Sequence, residues 1–392
     1  MTRPLSIAAA GCGIAGLSAA ILLGRQGHLV TVFDQFAEPL PVGSGLVIQP
    51  VGQAVLAELG VLQAALNQGA RISRMVGYVS GGSGTALDAR YDAGGKGRFG
   101  LALHRSVLFS LLLEKARAEG IKITRSARVS GAKTGQIHLE SGPIHGPFDL
   151  IIDAAGAQSP LSPQPGKPLP YGAIWASVDW PEGIPEHANE LRQTYQAARH
   201  ILGVLPIGKM NGSPSRKAAI FWSLRQDSYT DWLATPLDDW KAQASALWPD
   251  FAPFLTSITD HAHMTMARYR HRSLPTPVDG NLVHIGDAWH VASPQLGQGA
   301  NMALLDALAL ATALLPDHKD LNTALAAFHA LRRRHLALYQ FGSRLLTPLY
   351  QSDSRILPVL RDRVLTPATR LPGIRYLVSR LVCGDLVAPL TS

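Results

Sequence analysis

The sequence predicts an α/β protein with an inserted mixed β-sheet domain and a helical C-terminal segment. Three observations predict it. A strand, a glycine-rich turn, a helix and a second strand follow one another between residues 5 and 34. A second strand–turn–helix lies between residues 281 and 315. Between them, short apolar segments of period two alternate with Gly, Pro and Ser turns.

The first unit begins with an apolar strand, Leu5 to Ala10, and then reads Gly11-Cys12-Gly13-Ile14-Ala15-Gly16. Ile14, Leu17, Ala20, Ile21 and Gly24 follow at helical spacing, Gly27 stops the helix, and Leu29 to Phe33 forms the next strand with Asp34 at its end. A G-x-G-x-x-G turn in this context, with an acid about twenty residues on, marks a Rossmann-like dinucleotide-binding unit. Gly11 allows the tight turn, Gly13 lets backbone approach a pyrophosphate, and Gly16 lets helix and strand pack closely. The free N–H groups of the helix start, Ile14 and Ala15 among them, attract phosphate. Asp34 is suited to accept from ribose hydroxyls and to repel a 2′-phosphate, so FAD or NAD is expected rather than NADP.

Composition narrows the alternatives. The chain has 392 residues, 46% hydrophobic and 16% charged, enough for two or three packed units and too apolar for disorder. The net charge of +8 raises nucleic acid, membrane surfaces and anionic ligands as partners. No run of five basic residues, no zinc or other metal-ligand spacing and no RNA-binding aromatic motif occurs, so neither nucleic acid nor a metal is expected. Two cysteines, Cys12 and Cys383, make no disulfide framework. The apolar N-terminal run is too short for a signal sequence and leads directly into the glycine motif. A cytoplasmic protein is expected.

The second unit reads Gly286-Asp287-Ala288-Trp289-His290, then Ser293-Pro294-Gln295-Leu296-Gly297-Gln298-Gly299-Ala300-Asn301, then an apolar helix over 302–315. Its glycine spacing is not a second nucleotide fingerprint. It resembles the G-D-A-x-H and P-x-x-G-x-G-x-N segments of the single-component (group A) FAD-dependent aromatic hydroxylases, the p-hydroxybenzoate hydroxylase family. The resemblance runs from residue 5 to about residue 310. Gly43-Ser44-Gly45-Leu46 is similar to the family's G-x-G-I segment near the flavin, and Leu103-His104-Arg105-Ser106-Val107-Leu108 to its H-R-x-x-L.

The resemblance implies a discontinuous FAD-binding domain (residues 1–74, 100–168 and 272–330), an inserted substrate domain (75–99 and 169–271) and a helical C-terminal segment (331–392). It implies that Asp287 holds the ribityl chain of FAD and that Arg105 reaches the ribityl–pyrophosphate region. Pro294, Gly297, Gln298, Gly299, Ala300 and Asn301 would border the flavin ring, with a helix start stabilising the negative charge of the reduced ring. The implied activity is FAD-dependent monooxygenation of an aromatic or similar electron-rich small molecule through a flavin C4a-hydroperoxide. O2 is the co-substrate and NADH or NADPH the reductant.

One stretch departs from the family. Asp149-Leu150-Ile151-Ile152-Asp153-Ala154-Ala155-Gly156-Ala157-Gln158-Ser159 aligns with D-L-V-V-G-A-D-G-x-x-S, but Ala155 stands at the acid and Gln158 and Ser162 at arginines. Asp153 lies two residues early and is not expected to substitute. The alternatives are an altered reductant site, reduction by an external reductase or reduced flavin, and an oxidase or dehydrogenase reaction.

Strands are expected over 75–80, 171–180, 201–205, 218–224 and 263–269, carrying Tyr171, Trp175, Trp180, Phe221 and Trp222. Trp175, Leu202, Phe221 and Pro294 are the candidate substrate-pocket residues for a planar apolar ligand. His104, His200 and His290 are acid–base candidates by region alone, so no catalytic side chain is assigned. His290 reads rather as a hydrogen-bonded structural residue. The arginine-rich tail (Arg332 to Arg334, Arg355, Arg361, Arg363, Arg370 and Arg380) reads as helices packed on the FAD domain with a solvated basic face. An interfacial membrane patch is the other reading, and membrane association is not expected. A monomer or homodimer is expected.

Overall fold

The computed structural model describes residues 3–38, 44–184, 189–210, 213–315 and 320–391. Gly43 of the sequence motif therefore lies outside the described residues.

A six-stranded sheet organises the first domain. In spatial order its strands are Val278–Asp279, Leu282–His284, Leu150–Asp153, Ser6–Ala10, Leu29–Phe33 and Lys122–Thr124. All neighbours are parallel except the first pair. Ile7, Ala8, Ala9 and Ala10 are wholly buried, because a parallel sheet is covered on both faces and its strands must be apolar throughout. From the central strand the chain runs to Leu29–Phe33 on one side and later returns to Leu150–Asp153 on the other. The order reverses there, at the glycine turn, which is where open sheets of this kind bind ligands beyond the strands' carboxyl ends.

The helix Ile14–Arg25 and the helix Gly299–Ala313 share one core, in which Leu17 and Ile21 join Leu304 and Leu310. A three-stranded sheet, Gly45–Ile48, Gly100–His104 and Ala70–Ile72, carries the chain toward the inserted domain.

That domain is one seven-stranded mixed sheet, in the order Thr265–Ala267, Tyr171–Asp179, Arg216–Arg225, His200–Lys209, Glu190–Gln196, Arg74–Val79 and Thr85–Arg90. Glu190–Gln196 escapes sequence reading because Glu-Leu-Arg-Gln-Thr-Tyr-Gln lacks an alternating apolar face. The segment expected as a strand over 263–269 is instead a 3-10 turn at His261–His263 and the short strand Thr265–Ala267. The next strand, Arg270–Ser273, joins a separate small sheet with Lys167–Pro168 and His290–Val291.

The register sorts the aromatic residues onto two faces. Trp175 is opposite Phe221 and Phe221 is opposite Gly203, whereas Ile174 is opposite Trp222 and Trp222 is opposite Leu202. The Trp222 face packs under the helices Tyr229–Ala234 and Leu237–Leu247, with Trp232, Trp240, Trp248, Phe251 and Phe254. The Trp175 face looks toward the strands Gly45–Ile48, Ala70–Ile72 and Gly100–His104 and the C-terminal segment.

The C-terminal segment begins with one 30-residue helix, Leu321–Tyr350. The boundary expected at residue 331 falls inside it, so there is no structural break there: Ala324, Leu325 and Phe328 are buried in the first domain's core and the helix simply continues. Among the described residues no helix is long and apolar enough to cross a membrane.

Candidate active site

The glycine turn has the geometry its sequence demands. Gly11 sits at φ +106° and donates its N–H to Phe33 O at 2.8 Å. A Cβ on Gly16 would collide with the Gly11 carbonyl oxygen, whereas a Cβ on Gly13 would meet nothing within 4 Å. Gly16 is therefore small because protein presses on it, and Gly13 faces open space. The helix that starts at Ile14 has no side-chain cap and no acid in its first turn, so its first N–H groups are free for an anion. The Ile14 and Ala15 side chains are buried, so only their backbone could meet a ligand. Asp34 is buried too: Oδ2 accepts from Cys12 N at 2.9 Å and Oδ1 from Phe36 N at 3.0 Å. Each oxygen keeps a lone pair for a ribose hydroxyl.

The second motif converges on the first. Gly286, at φ +58°, is wedged so that its Cβ would lie 3.2 Å from Ala15 Cβ and 3.3 Å from Ala303 Cβ. The turn that carries Asp287 thus touches the first turns of both helices. The half-buried Asp287 carboxylate has no hydrogen bond among the described residues. Gly297 adopts the left-handed conformation at φ +60°, and the helix Gly299–Ala313 again starts without a side-chain cap or an early acid. Pro294 and Gly299 are exposed, Ala300 is half-buried, and a Cβ on Gly299 would meet nothing within 4 Å. The exposed Arg105 guanidinium makes no hydrogen bond or ion pair among the described residues.

Two sequence candidates are occupied by the protein itself. Asn301 is wholly buried; its Oδ1 accepts from Gln49 N at 2.8 Å, and its Nδ2 donates to Val47 O at 3.2 Å and Gly297 O at 3.1 Å. Gln298 Nε2 donates to Val382 O at 2.8 Å. Both side chains hold the turn before the helix Gly299–Ala313 in place. Gly45 likewise serves packing: its Cβ would press on the Ala219 and Ile207 side chains at 2.6 and 2.8 Å.

These features fit FAD. Two uncapped helix starts flank the Gly286 turn, Gly13 and Gly299 face open space, and the Asp287 and Arg105 side chains make no hydrogen bond among the described residues. The Gln49 carboxamide is also wholly buried beside Gly297, with neither end in a hydrogen bond among the described residues.

Behind the motif lies a cluster that sequence reading missed. Asp306 Oδ2 accepts from Gly286 N at 2.8 Å and from His290 Nε2 at 2.6 Å, while Oδ1 accepts from Arg332 Nε at 2.8 Å. Asp306, Arg332 and His335 are wholly buried. Burial pushes the Asp306 carboxyl up, yet His290 and Arg332 together hold it below its ordinary value. Arg332 Nη1 also donates to His335 Nδ1 at 3.1 Å, and His335 Nε2 donates to Gly384 O at 2.7 Å. Burial first, and Arg332 second, pull His335 down to about 4. An acid at helical spacing within an apolar helix was the available signal. Arg272 was missed as well; its Nη2 donates to Asp287 O at 2.6 Å and Gly156 O at 3.3 Å, joining two motif turns.

On the inserted sheet, the Trp175 and Phe221 rings lie 4.4 Å apart at 31°, and Trp175 Nε1 donates to Tyr269 Oη at 3.3 Å. Burial pushes the Tyr269 hydroxyl up to about 12. Leu202 requires a correction: it lies in the core on the opposite face, because strand alternation turns it toward Trp222. His200 is also on that face, 5.0 Å from the Trp222 ring. His104 caps the helix Arg105–Ala118 by accepting from Ser106 N, and His290 is held by Asp306. None of the three histidines stands beside the Trp175–Phe221 surface.

Ala155 and Gln158 are exposed at the end of the Leu150–Asp153 strand. Asp153 points inward and is wholly buried, bonded to Ser159 Oγ and His284 Nδ1 at 2.7 Å and to Ala155 N at 3.1 Å. It does not replace the missing acid.

Comparison with known proteins agrees with this geometry. A family model described as "FAD binding domain" matches residues 5–141 and 174–335. A FAD-dependent monooxygenase, atnJ, from Arthrinium sp is 26% identical over 85% of this chain and 82% of its own. A kynurenine 3-monooxygenase from Xanthomonas campestris is 27% identical over 86% and 77%. HpxO of Klebsiella pneumoniae, solved with FAD, superposes with a TM-score of 0.80 over 98% of this chain and 100% of its own, at 19% identity. P. aeruginosa PqsL, solved with 2-aminobenzoylacetate, gives 0.75 over 95% and 99%, at 21% identity. The chain belongs to the FAD-binding-domain family and is a FAD-dependent monooxygenase with the p-hydroxybenzoate hydroxylase fold.

Proposed function

We propose that the protein hydroxylates a small, planar, aromatic molecule held between the FAD crevice and the Trp175–Phe221 face. The observation that carries this reading is the sorting of the sheet's aromatics: Trp175, Phe221 and Tyr269 face the flavin domain while the tryptophan-rich helices cover the other side. Residues 75–99 and 169–271 act as the substrate domain. Bound FAD supplies the activation of O2 for transfer of one oxygen atom. The chain's own part is to bind and shield.

Gly11, Gly13, Gly16 and the N–H groups of Ile14 and Ala15 take the pyrophosphate. Asp34 takes the adenosine ribose, Arg105 the pyrophosphate side of the ribityl chain, and Asp287 its hydroxyls. Pro294, Gly297, Gly299 and Ala300 offer backbone to the ring, with Gln298 and Asn301 bracing that turn. Gly45 lets the two domains approach. Trp175 and Phe221 exclude water from the ring face, and Tyr269, protonated at neutral pH, presents a donor or acceptor to a substrate hydroxyl. No side chain is assigned as a base.

Electrons come from NADH or NADPH docking at the surface, and Ala155 makes that docking weaker than an acid there would. The free, buried thiols of Cys12 and Cys383 suit a reducing, cytoplasmic compartment, and the reading takes the protein as a monomer or homodimer. Anaerobic stopped-flow reduction by each nucleotide, with a panel of aromatic acids, phenols and quinolones, tests the reading. Substrate-accelerated bleaching of the flavin is expected. No reduction by either nucleotide, with dithionite-reduced enzyme still reacting with O2, would move the reductant to another protein or to free reduced flavin.

A further inference from the structure

The C-terminal segment turns its apolar side outward. After the long helix, the chain forms a continuous helical stretch, Leu357–Leu360, a π turn over Arg361–Leu365 and Thr366–Ala368, and then the helix Pro372–Cys383. Ile356, Val359, Leu360 and Val364 repeat at helical spacing and are all exposed, Ile356 to 78% and Val364 to 54%. Leu365, Leu371, Ile374, Tyr376 and Leu377 extend the surface, and every residue from 370 to 377 is exposed. The buried positions of the stretch, Pro358, Arg361 and Thr366, lie on the other side. This is an amphipathic element docked by its polar and small residues, the reverse of a helix that covers a core.

The charges around it have one sign. Arg355, Arg363, Arg370 and Arg375 are exposed within the stretch, and Arg344 is exposed on the long helix. The only acids between residues 341 and 377 are Asp353 and Asp362. Asp353 is bonded by Arg225 and Tyr171, and Asp362 by Arg361. Apolar side chains among unopposed arginines complement the acyl boundary and headgroups of an anionic bilayer. Paired with itself, the surface would set these arginines against their own copies, which disfavours a second chain as the occupant.

The same stretch is fastened to the pocket wall. Arg361 donates to Leu349 O and Ala197 O, both at 3.0 Å, and its guanidinium lies 4.8 Å over Tyr195 and 5.2 Å over Tyr350. Tyr195 and Tyr350 pack in the cluster that contains Phe221. The exposed apolar side therefore belongs to an element anchored on the cluster that includes Phe221 and Trp175.

We propose that residues 355–377 form a peripheral docking surface for anionic lipid, placing the aromatic pocket close to the bilayer. The sequence offered such an interfacial patch as the second reading of the arginine-rich tail, behind helices with a solvated basic face. The test is co-sedimentation of the FAD-loaded protein with vesicles of phosphatidylcholine alone and of an equimolar phosphatidylcholine–phosphatidylglycerol mixture, at low and high salt. Binding to the anionic vesicles alone, weakened by salt, is expected. The combined variant Ile356→Glu, Val364→Glu and Leu377→Glu should abolish it while keeping the flavin spectrum and melting temperature. Each of Arg363→Gln, Arg370→Gln and Arg375→Gln should lower partitioning about fivefold. Failure to pellet with anionic vesicles, or pelleting that the variants do not alter, would overturn the proposal. So would a lipid-free, concentration-dependent dimer in sedimentation velocity that the triple glutamate variant dissociates, because the surface would then belong to a second copy.

Discussion

Asp306 accepts a 2.6 Å hydrogen bond from His290, and through its other oxygen holds Arg332 at 2.8 Å. The same carboxylate holds the N–H of Gly286, one residue before Asp287. A buried charge network thus fixes the turn that presents Asp287, the acid proposed to hold the ribityl chain. Asp306→Asn should destabilise the protein by about 3–5 kcal/mol, because Arg332 is left without its counter-charge. It should also loosen FAD. Thermal melting and flavin retention on gel filtration check both effects.

His335 gives the stability a pH dependence of known sign. Its folded value is about 4 against an ordinary 6.5, because burial and then Arg332 disfavour the charged form. Between these values the unfolded chain takes up a proton that the folded chain refuses. Stability is therefore full above about pH 6.5 and falls as pH drops toward 4, by about 3 kcal/mol from this group. Chemical denaturation across that range should show the slope, and His335→Gln should flatten it.

The glycines of the first motif separate packing from binding. Gly13→Ala should change stability by less than about 0.5 kcal/mol, since its Cβ meets nothing within 4 Å. It should weaken FAD by on the order of tenfold by intruding on the phosphate cradle. Gly16→Ala should destabilise the apoprotein by roughly 1–3 kcal/mol or more, because the added methyl strikes the Gly11 carbonyl. Flavin titration and apoprotein melting distinguish the two.

Leu202 and Phe221 make the corresponding pair on the inserted sheet. Leu202→Ala should cost about 2–5 kcal/mol of stability and leave KM unchanged, because Leu202 belongs to the far core. Phe221→Leu should raise the KM for an aromatic substrate about three- to tenfold through loss of ring contact.

Ala155→Asp restores an acid at an exposed position. Stability should change by less than about 0.5 kcal/mol, and anaerobic reduction by NADH or NADPH should quicken. An unchanged rate would remove Ala155 from the account of reductant docking.

Much of the site was legible because backbone needs leave a sequence imprint. A positive φ at Gly11, Gly286 and Gly297 admits few other residues, and the uncapped helix starts follow from Gly13 and Gln298 at the cap positions, where Ser or Asp would cap. Side-chain direction was less legible. Leu202 and Phe221 are both apolar strand residues, and only the register tells which face each occupies. Asp306 and Arg332 are 26 residues apart and meet only when two helices pack. For the tail, arginines among Leu, Ile and Val allowed an interfacial patch as a second reading, but apolar residues at helical spacing ordinarily signal burial, and only the packing shows that residues 355–377 turn theirs outward.

The most direct test of the central claim is aerobic turnover under ¹⁸O2 of the FAD-loaded enzyme with NADH or NADPH, using any aromatic compound that accelerates flavin reduction, read by mass spectrometry of the product. One labelled oxygen atom in the hydroxylated ring is the expected result. Consumption of O2 wholly as hydrogen peroxide, or product oxygen drawn from water, would contradict it.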